Sequence, residues 1–329
     1  MIHSIYKTVK HIKFLEKPCA FLKYMAVLSF FCLFLLPLIS HALPTDKKIT
    51  IAYQQTNKFS QQLIDHLIKD INNNGYNVEK IQLQEPLNTE KFQQQQLIIA
   101  LGSQATKILL EANIHKPTLS LLIPKDFSDA LEKNQPNTSH WSRLVIDHPI
   151  KRHFNLISAI FGTHYKTGLL LRPHTQPSEL LFKQAAAESK QTLTTYYIDQ
   201  TAQLTPAIKS LSKEVDVLLA LPDPVIYNKR TIRGILLSSY RYKLPIIGFS
   251  KAYVKAGAIA AIYSKPEQIS KQAVNIIKQF FKENNFHKKI YYPTDFSVSL
   301  NHKVAHSMSI RLPESSAITE QIKKSEKTP

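Results

Sequence analysis

The sequence predicts an α/β protein of two similar Rossmann-like lobes, each built on a parallel sheet. Three observations predict it. Short apolar runs alternate with amphipathic helical stretches along most of the 329 residues, the order that builds parallel sheets. One strand–loop–helix–strand unit is written twice. The length is that of two domains rather than one.

The elements follow from local pattern. Ile49–Tyr53 reads as a strand. Lys58–Asn73 carries Phe59, Leu63, Ile64, Leu67, Ile68 and Ile71 at helical spacing. Gly75 follows it, where a helix end favours left-handed backbone. Val78–Leu83 alternates as a strand does, and Leu97–Leu101 is a continuous apolar run suited to burial on both faces. Ser103–Asn113 reads as a helix and Thr118–Ile123 as the next strand. Gly168–Leu171, Leu193–Ile198, Asp216–Leu221 and Pro245–Phe249 are further strands with helices between them. Asn134–His140 is a polar loop, and Glu314–Pro329 reads as a charged, loosely held tail.

The repeat is specific. LIIAL (97–101), a Gly102-Ser103-Gln104 turn, a helix, Lys116-Pro117 and TLSLL (118–122) form the first copy. VLLAL (217–221), a Pro222-Asp223-Pro224 turn, a helix, Lys243-Leu244-Pro245 and IIGF (246–249) form the second. In open parallel sheets ligands bind beyond the carboxyl ends of strands, and both turns stand at such ends.

The N-terminus has the layout of a secretory signal peptide. Residues 1–24 hold five lysines (Lys7, Lys10, Lys13, Lys17, Lys23) against Glu16 alone. An apolar run from Met25 to Ile39 follows and ends in Ser40-His41-Ala42. The run is shorter than the about 20 residues of a membrane span. Cleavage is expected after Ala42, giving a periplasmic protein, with an uncleaved anchor as the alternative. Phenylalanines before Cys32 argue against a lipidation site there. Cys19 and Cys32 are the only cysteines, so the processed chain has no disulfide and no thiol nucleophile.

Net charge is +18, of which the first 24 residues supply +4. The remainder is mostly dispersed lysine, which reads as a solvated surface. Neither arginine-rich clusters nor a nucleic-acid module is present, so no nucleic acid is expected as a partner. Gly-x-Ser-x-Gly, Gly-x-Gly-x-x-Gly, phosphate-loop and His-Glu-x-x-His motifs are all missing. His148 and His153 stand five apart, a poor spacing for one metal on a helix. No enzyme activity, metal or cofactor is expected.

Candidate ligand residues lie at strand ends. Gly102, Ser103 and Gln104 open a helix whose N–H groups favour an anionic group, or else form a turn with Ser103 as cap. Asp223 can receive an ammonium or hydroxyl, or cap the following turn. Ser250, Tyr253 and Gly257 follow the strand Pro245–Phe249, where Tyr253 can stack on a ligand ring or pack internally. Arg172 ends Gly168–Leu171 and suits a carboxylate or an ion pair. Tyr53 and Gln54 end the first strand and are weaker candidates of the same kind.

The stretch VLLALPDPVIYNKRTIRGILLSSYRYKLPIIGFSKAYVKAGAIAAIYSKPEQISK (217–271), with Tyr291-Tyr292-Pro293, Leu300-Asn301 and Ile310-Arg311-Leu312-Pro313, resembles the substrate-binding proteins of ABC transporters, in the branch that binds amino acids. The resemblance implies a periplasmic binding protein type I fold, with two lobes joined by a three-strand hinge and a small molecule trapped between them. It implies lobe 1 over 43–147 plus 264–286, and lobe 2 over 148–263 plus 287–329. It also implies delivery of the ligand to a membrane permease. The family's Gly-Thr-x-Ala reads Gly102-Ser103-Gln104-Ala105 here, and its Asp-Pro after the next strand is replaced by Pro124-Lys125-Asp126. Amino-acid specificity therefore does not carry over, although an amino acid or similar solute is one ligand class. A receptor-like protein presenting its ligand to a membrane sensor, and an exported hydrolase, are the competing functions.

Overall fold

The structure is a computed structural model and describes residues 47–134, 140–173 and 178–327. The signal-peptide segment 1–42 lies outside the described residues, as does most of the polar loop 134–140.

The chain first lays down β1 (Lys48–Tyr53), α1 (Lys58–Asn73), β2 (Asn77–Gln82), β3 (Leu97–Leu101), α2 (Gly102–Glu111), β4 (Thr118–Ile123), α3 (Lys125–Asn134) and β5 (Trp141–Val145). It continues with α4 (Ile150–Phe161), β6 (Lys166–Leu171), α5 (Glu179–Glu188), β7 (Thr192–Tyr197), α6 (Leu204–Leu211), β8 (Val217–Leu219), α7 (Ile232–Arg241), β9 (Ile246–Gly248), α8 (Lys251–Ala256) and β10 (Ala260–Tyr263). The last elements are α9 (Pro266–Glu283), β11 (Ile290–Tyr291), β12 (Ser297–Leu300), α10 (His302–Ser307) and α11 (Ser315–Lys327).

Two sheets result. The first has the order β2-β1-β3-β4-β5-β11 with every pair parallel. The second has the order β7-β6-β8-β9-β10-β12, parallel except for β10–β12. The repeat read in the sequence is β3–α2–β4 and β8–α7–β9, at the same place in each sheet. The copies differ in their turns. The helix α2 starts directly at Gly102, whereas ten residues separate Leu221 from α7.

Burial explains the patterns. The continuous apolar strand β3 sends Leu97, Ile99 and Leu101 to α1 and α9, and Ile98 and Ala100 to α2. The helix α1 is capped at Asn57, whose side chain accepts the N–H groups of Phe59 and Ser60. It ends in a Schellman arrangement: Gly75, at φ +77°, donates to Asn72 O, and Tyr76 donates to Ile71 O. In the second half Leu169, Leu171, Val217 and Leu219 face α4 and α11, while Leu170 and Leu218 face α6 and α7. Gly168 is required by packing, because a Cβ there would stand 2.9 Å from Val215 and 3.2 Å from Leu211.

Two expectations change. The segment Glu314–Pro329, read as a loose tail, contains α11, with Ile318 and Ile322 fully buried against the second sheet's core. These residues are one helical turn apart and form an apolar stripe that its lysines and glutamates mask in composition. The third crossing, expected at His287, comes later. Ile290–Tyr291 pairs with Arg143 and Leu144, so the first sheet keeps the chain until Tyr291.

The chain thus passes between the sheets at 146–149, 264–265 and 292–296.

Candidate functional site

A cavity of about 340 Å³ lies at the carboxyl ends of strands from both sheets. Lys125 and Asp126 reach it from β4, Asp147 and His148 from the first crossing, Arg172 from β6 and Asp223 from β8. Doubly wound sheets place their ligand sites at such strand ends. The walls between these polar groups are apolar, with Leu170, Leu171, Leu181, Phe182 and Leu221 among them. A few polar groups among apolar walls is the usual make-up of a small-molecule site.

Two sequence-predicted residues meet here. Arg172 Nε donates to Asp223 Oδ2 at 2.7 Å. The other carboxylate oxygen, Oδ1, accepts the N–H groups of Val225 at 2.7 Å and Ile226 at 2.8 Å. Asp223 therefore caps its turn and holds Arg172 at the cavity wall at once.

The other predicted residues are elsewhere. Ser250 caps α8, accepting Tyr253 N–H at 3.1 Å, and lines a second cavity of about 570 Å³ with Phe59, Phe249 and Tyr263. Tyr253 is a core residue, 2% exposed, seated against Gly248 and packed on Tyr227 and Phe249. A side chain on Gly248 would come within 2.8 Å of that ring, so the glycine admits Tyr253 to the core rather than to a ligand. Gly257 ends α8 at φ +138°. Gly102 opens α2 at φ +88°. Ser103 is inside the helix rather than capping it, because Leu101 occupies the cap position. Tyr53 packs on the first core, and Gln54 O accepts Gln82 Nε2 at 3.1 Å. Gly102, Ser103, Gln104, Tyr53, Gln54, Tyr253 and Gly257 line neither of these two cavities.

Beside the first cavity is a polar node that joins all three crossings. Arg152, on α4, is buried. Its Nη2 donates to Glu326 Oε2 at 3.0 Å, and its Nη1 donates to Pro293 O at 2.8 Å and to His148 Nδ1 at 2.9 Å. Its guanidinium lies over the Phe296 ring at 4.6 Å. Arginine can only donate, so His148 Nδ1 is the acceptor and the ring's proton sits on Nε2. That proton faces Ser264 Oγ at 3.3 Å, and Ser264 Oγ donates to Asp295 O at 3.0 Å. One chain of hydrogen bonds thus runs from Arg152 through the first and second crossings to the third.

The electrostatics follow from burial. Burial, with the neighbouring His153 and Arg152, holds His148 well below the ordinary imidazole range. Burial, and then Arg152, lowers His153 to about 4. Both rings are neutral at pH 7. Asp147 goes the other way. Burial, against the Lys125 N–H donated to its Oδ2 at 2.6 Å, raises its carboxyl to about 7.

Sequence reasoning missed Asp147, His148, Arg152, His153, Ser264 and Glu326. A signal existed in Asp147-His148-Pro149-Ile150-Lys151-Arg152-His153, a stretch dense in titratable groups. It was weighed only as a metal pair. Among the described residues no group of three or more His, Cys, Asp or Glu side chains could hold a metal ion.

Comparison with known proteins places this geometry. In structure the chain is similar to the ligand-free, open form of a substrate binding protein with adhesive properties from Clostridium difficile, at 16% identity and TM-score 0.63, covering 83% of this chain and 98% of that one. It is similar to an ABC domain in complex with L-Trp from Streptococcus pneumonia, at 16% identity and TM-score 0.59, covering 83% and 98%. It is also similar to a conserved domain protein from Vibrio cholerae, at 18% identity and TM-score 0.59, covering 84% and 98%. These likenesses establish the two-lobed periplasmic binding protein type I fold. No curated protein matches the chain. The family described as ABC transporter substrate binding protein matches residues 86–322, most of the described chain. The chain belongs to the ABC transporter substrate binding protein family, whose members bind small ligands in this fold and are not an enzyme class.

Proposed function

We propose that this is an exported solute-binding protein that captures a small molecule in the cavity at the strand ends and hands it to an ABC-type permease, without chemistry on the ligand. Export rests on the basic, apolar and small-residue order of residues 1–42, with the processed protein in the periplasm. Lobe 1 is 43–147 plus 264–286 extended to Tyr291, and lobe 2 is the remainder. The observation that carries the reading is the cavity itself. Its polar groups come from both sheets, beside a node that ties the three crossings together. Closure of one lobe on the other about those crossings changes the shape of this cavity, which is how hinge proteins couple binding to movement. Arg172 and Asp223 are the proposed ligand contacts among the residues that the sequence singled out.

The test is a thermal-shift screen of the protein, expressed as the full chain and purified as processed, against amines, amino acids, sugars, nucleosides and carboxylates. A ligand at a hundredfold excess over its Kd stabilises the folded form by about 2.7 kcal/mol, a rise of several degrees for lobes of this size. A shift by one chemical class supports solute capture. A flat screen with folded, ligand-free protein overturns it and favours a receptor-like role.

A further inference from the structure

Among the described residues, one carboxyl at the first cavity, that of Asp147, has no cation within ion-pair distance. Among the described residues two side chains bring positive charge to the cavity wall, and each has a carboxylate partner. Lys125 Nζ pairs with Asp129 one turn along α3, and Arg172 Nε pairs with Asp223. The two imidazoles, His148 and His153, are kept neutral by burial and by Arg152. His153 is fully buried, lines the cavity, and its Nδ1 has no hydrogen-bond partner. Asp126, Asp147 and Asp223 line the cavity, and Asp223 is the partner of Arg172. Asp147 receives one backbone N–H, from Lys125, and no cationic side chain stands within ion-pair distance of it among the described residues.

We propose that the cavity takes a small organic cation, a protonated amine with an apolar body, seated on the carboxylate of Asp147. The proposal rests on the reading of this cavity as the solute site and names its ligand class. An ammonium supplies the donors and the charge that Asp147 lacks, and charge-assisted hydrogen bonds of this kind are the strong ones. The body lies against Leu170, Leu171, Leu181, Phe182 and Leu221. Among the described residues a carboxylate ligand finds only cations that already have carboxylates, and it approaches Asp147. A neutral ligand supplies no counter-charge to the Asp147 carboxylate, whose carboxyl then stays protonated up to about pH 7. Unpaired, that carboxyl is raised to about 7 by burial, and a bound ammonium favours its charged form. Binding therefore releases a proton below pH 7, and amine affinity rises with pH. Among the described residues, Lys125, Asp126, His148, His153, Arg172, Asp223 and Tyr292 are the other titratable groups around the cavity. Of these the two imidazoles are already neutral, so Asp147 governs the profile.

The test is calorimetric titration of the processed full-chain protein with phenethylamine, hexylamine and 1,6-diaminohexane. Their matched acids, 3-phenylpropionate, heptanoate and adipate, are run alongside, with phenylalanine as the zwitterion. The expected result has three parts. At least one amine binds at least about tenfold more tightly than its matched acid and than phenylalanine, as a charge-assisted hydrogen bond implies. Its affinity rises between pH 5.5 and 8. Asp147→Asn weakens it by at least about tenfold and flattens the pH profile. The wild-type pH profile stands even if the variant folds poorly. Binding of an acid or phenylalanine in preference to every amine, a flat wild-type profile, or full amine affinity in Asp147→Asn overturns the inference and leaves solute capture standing. Silence from all three amines overturns it too, and capture itself falls only if the wider screen is also flat.

Discussion

Arg152 Nη1 donates to His148 Nδ1 at 2.9 Å, and this bond sets the state of the hinge. It fixes which imidazole nitrogen carries the proton, and thereby directs His148 Nε2 to Ser264 on the second crossing. The same guanidinium holds Pro293 on the third crossing and Glu326 at the end of α11. A single buried side chain thus braces all three passages of the chain between the sheets.

Arg152→Ala leaves a solvent-accessible carboxylate at Glu326 and an unpaired carbonyl at Pro293. Leaving these groups without their donor costs about 1–3 kcal/mol. An unfolding free energy lower by that amount is expected, read as a fall in the urea midpoint at unchanged slope. Arg152→Lys is expected to recover only part, because an ammonium lacks the fork that spans Glu326 and the crossing. Equal midpoints for wild type and Arg152→Ala would contradict the bracing role.

Ile322→Ala tests whether the C-terminal segment is structural. Ile322 is fully buried in the second core, and such a truncation costs about 2–5 kcal/mol. Urea denaturation measures it. A loose tail predicts no change.

Gly248→Ala puts a methyl within 2.8 Å of the Tyr253 ring. Overpacking of this kind costs about 1–3 kcal/mol. Tyr253→Phe behaves oppositely. The Tyr253 hydroxyl is buried with no hydrogen-bond partner, so its removal is expected to be neutral or stabilising and to leave ligand affinity unchanged. Loss of affinity in Tyr253→Phe would return that residue to the binding site.

Stability is expected to fall on both sides of neutrality. His148 and His153 are held neutral in the folded chain, with His153 lowered to about 4. Their contribution is present above the unfolded imidazole value of about 6.5 and is lost as pH falls from there towards 4. The drop in melting temperature between pH 7 and pH 4.5 is therefore smaller in His153→Leu than in wild type. Asp147 has the opposite sign. Its folded value is raised to about 7, so its contribution is present at acid pH and lost as pH rises through 7. Asp147→Asn is expected to raise the melting temperature of the ligand-free protein at pH 8 more than at pH 5.

The sequence by itself determined the α/β class, most of the strands and helices, and the paired β3–α2–β4 and β8–α7–β9 units. It did so because alternation, helical spacing and end residues such as Gly75 act through neighbours along the chain. It also marked Arg172 and Asp223, each at the end of a buried strand. Only the tertiary structure decided that these two meet, and that His148, Arg152, Ser264 and Glu326 share one node. It sent Tyr253 to the core through the space left at Gly248, and Ile318 and Ile322 to a face that α4 and the second sheet supply. The physical reason is that burial, pairing and the shifts they impose on Asp147 and His153 depend on what lies across the fold, which composition and spacing do not record.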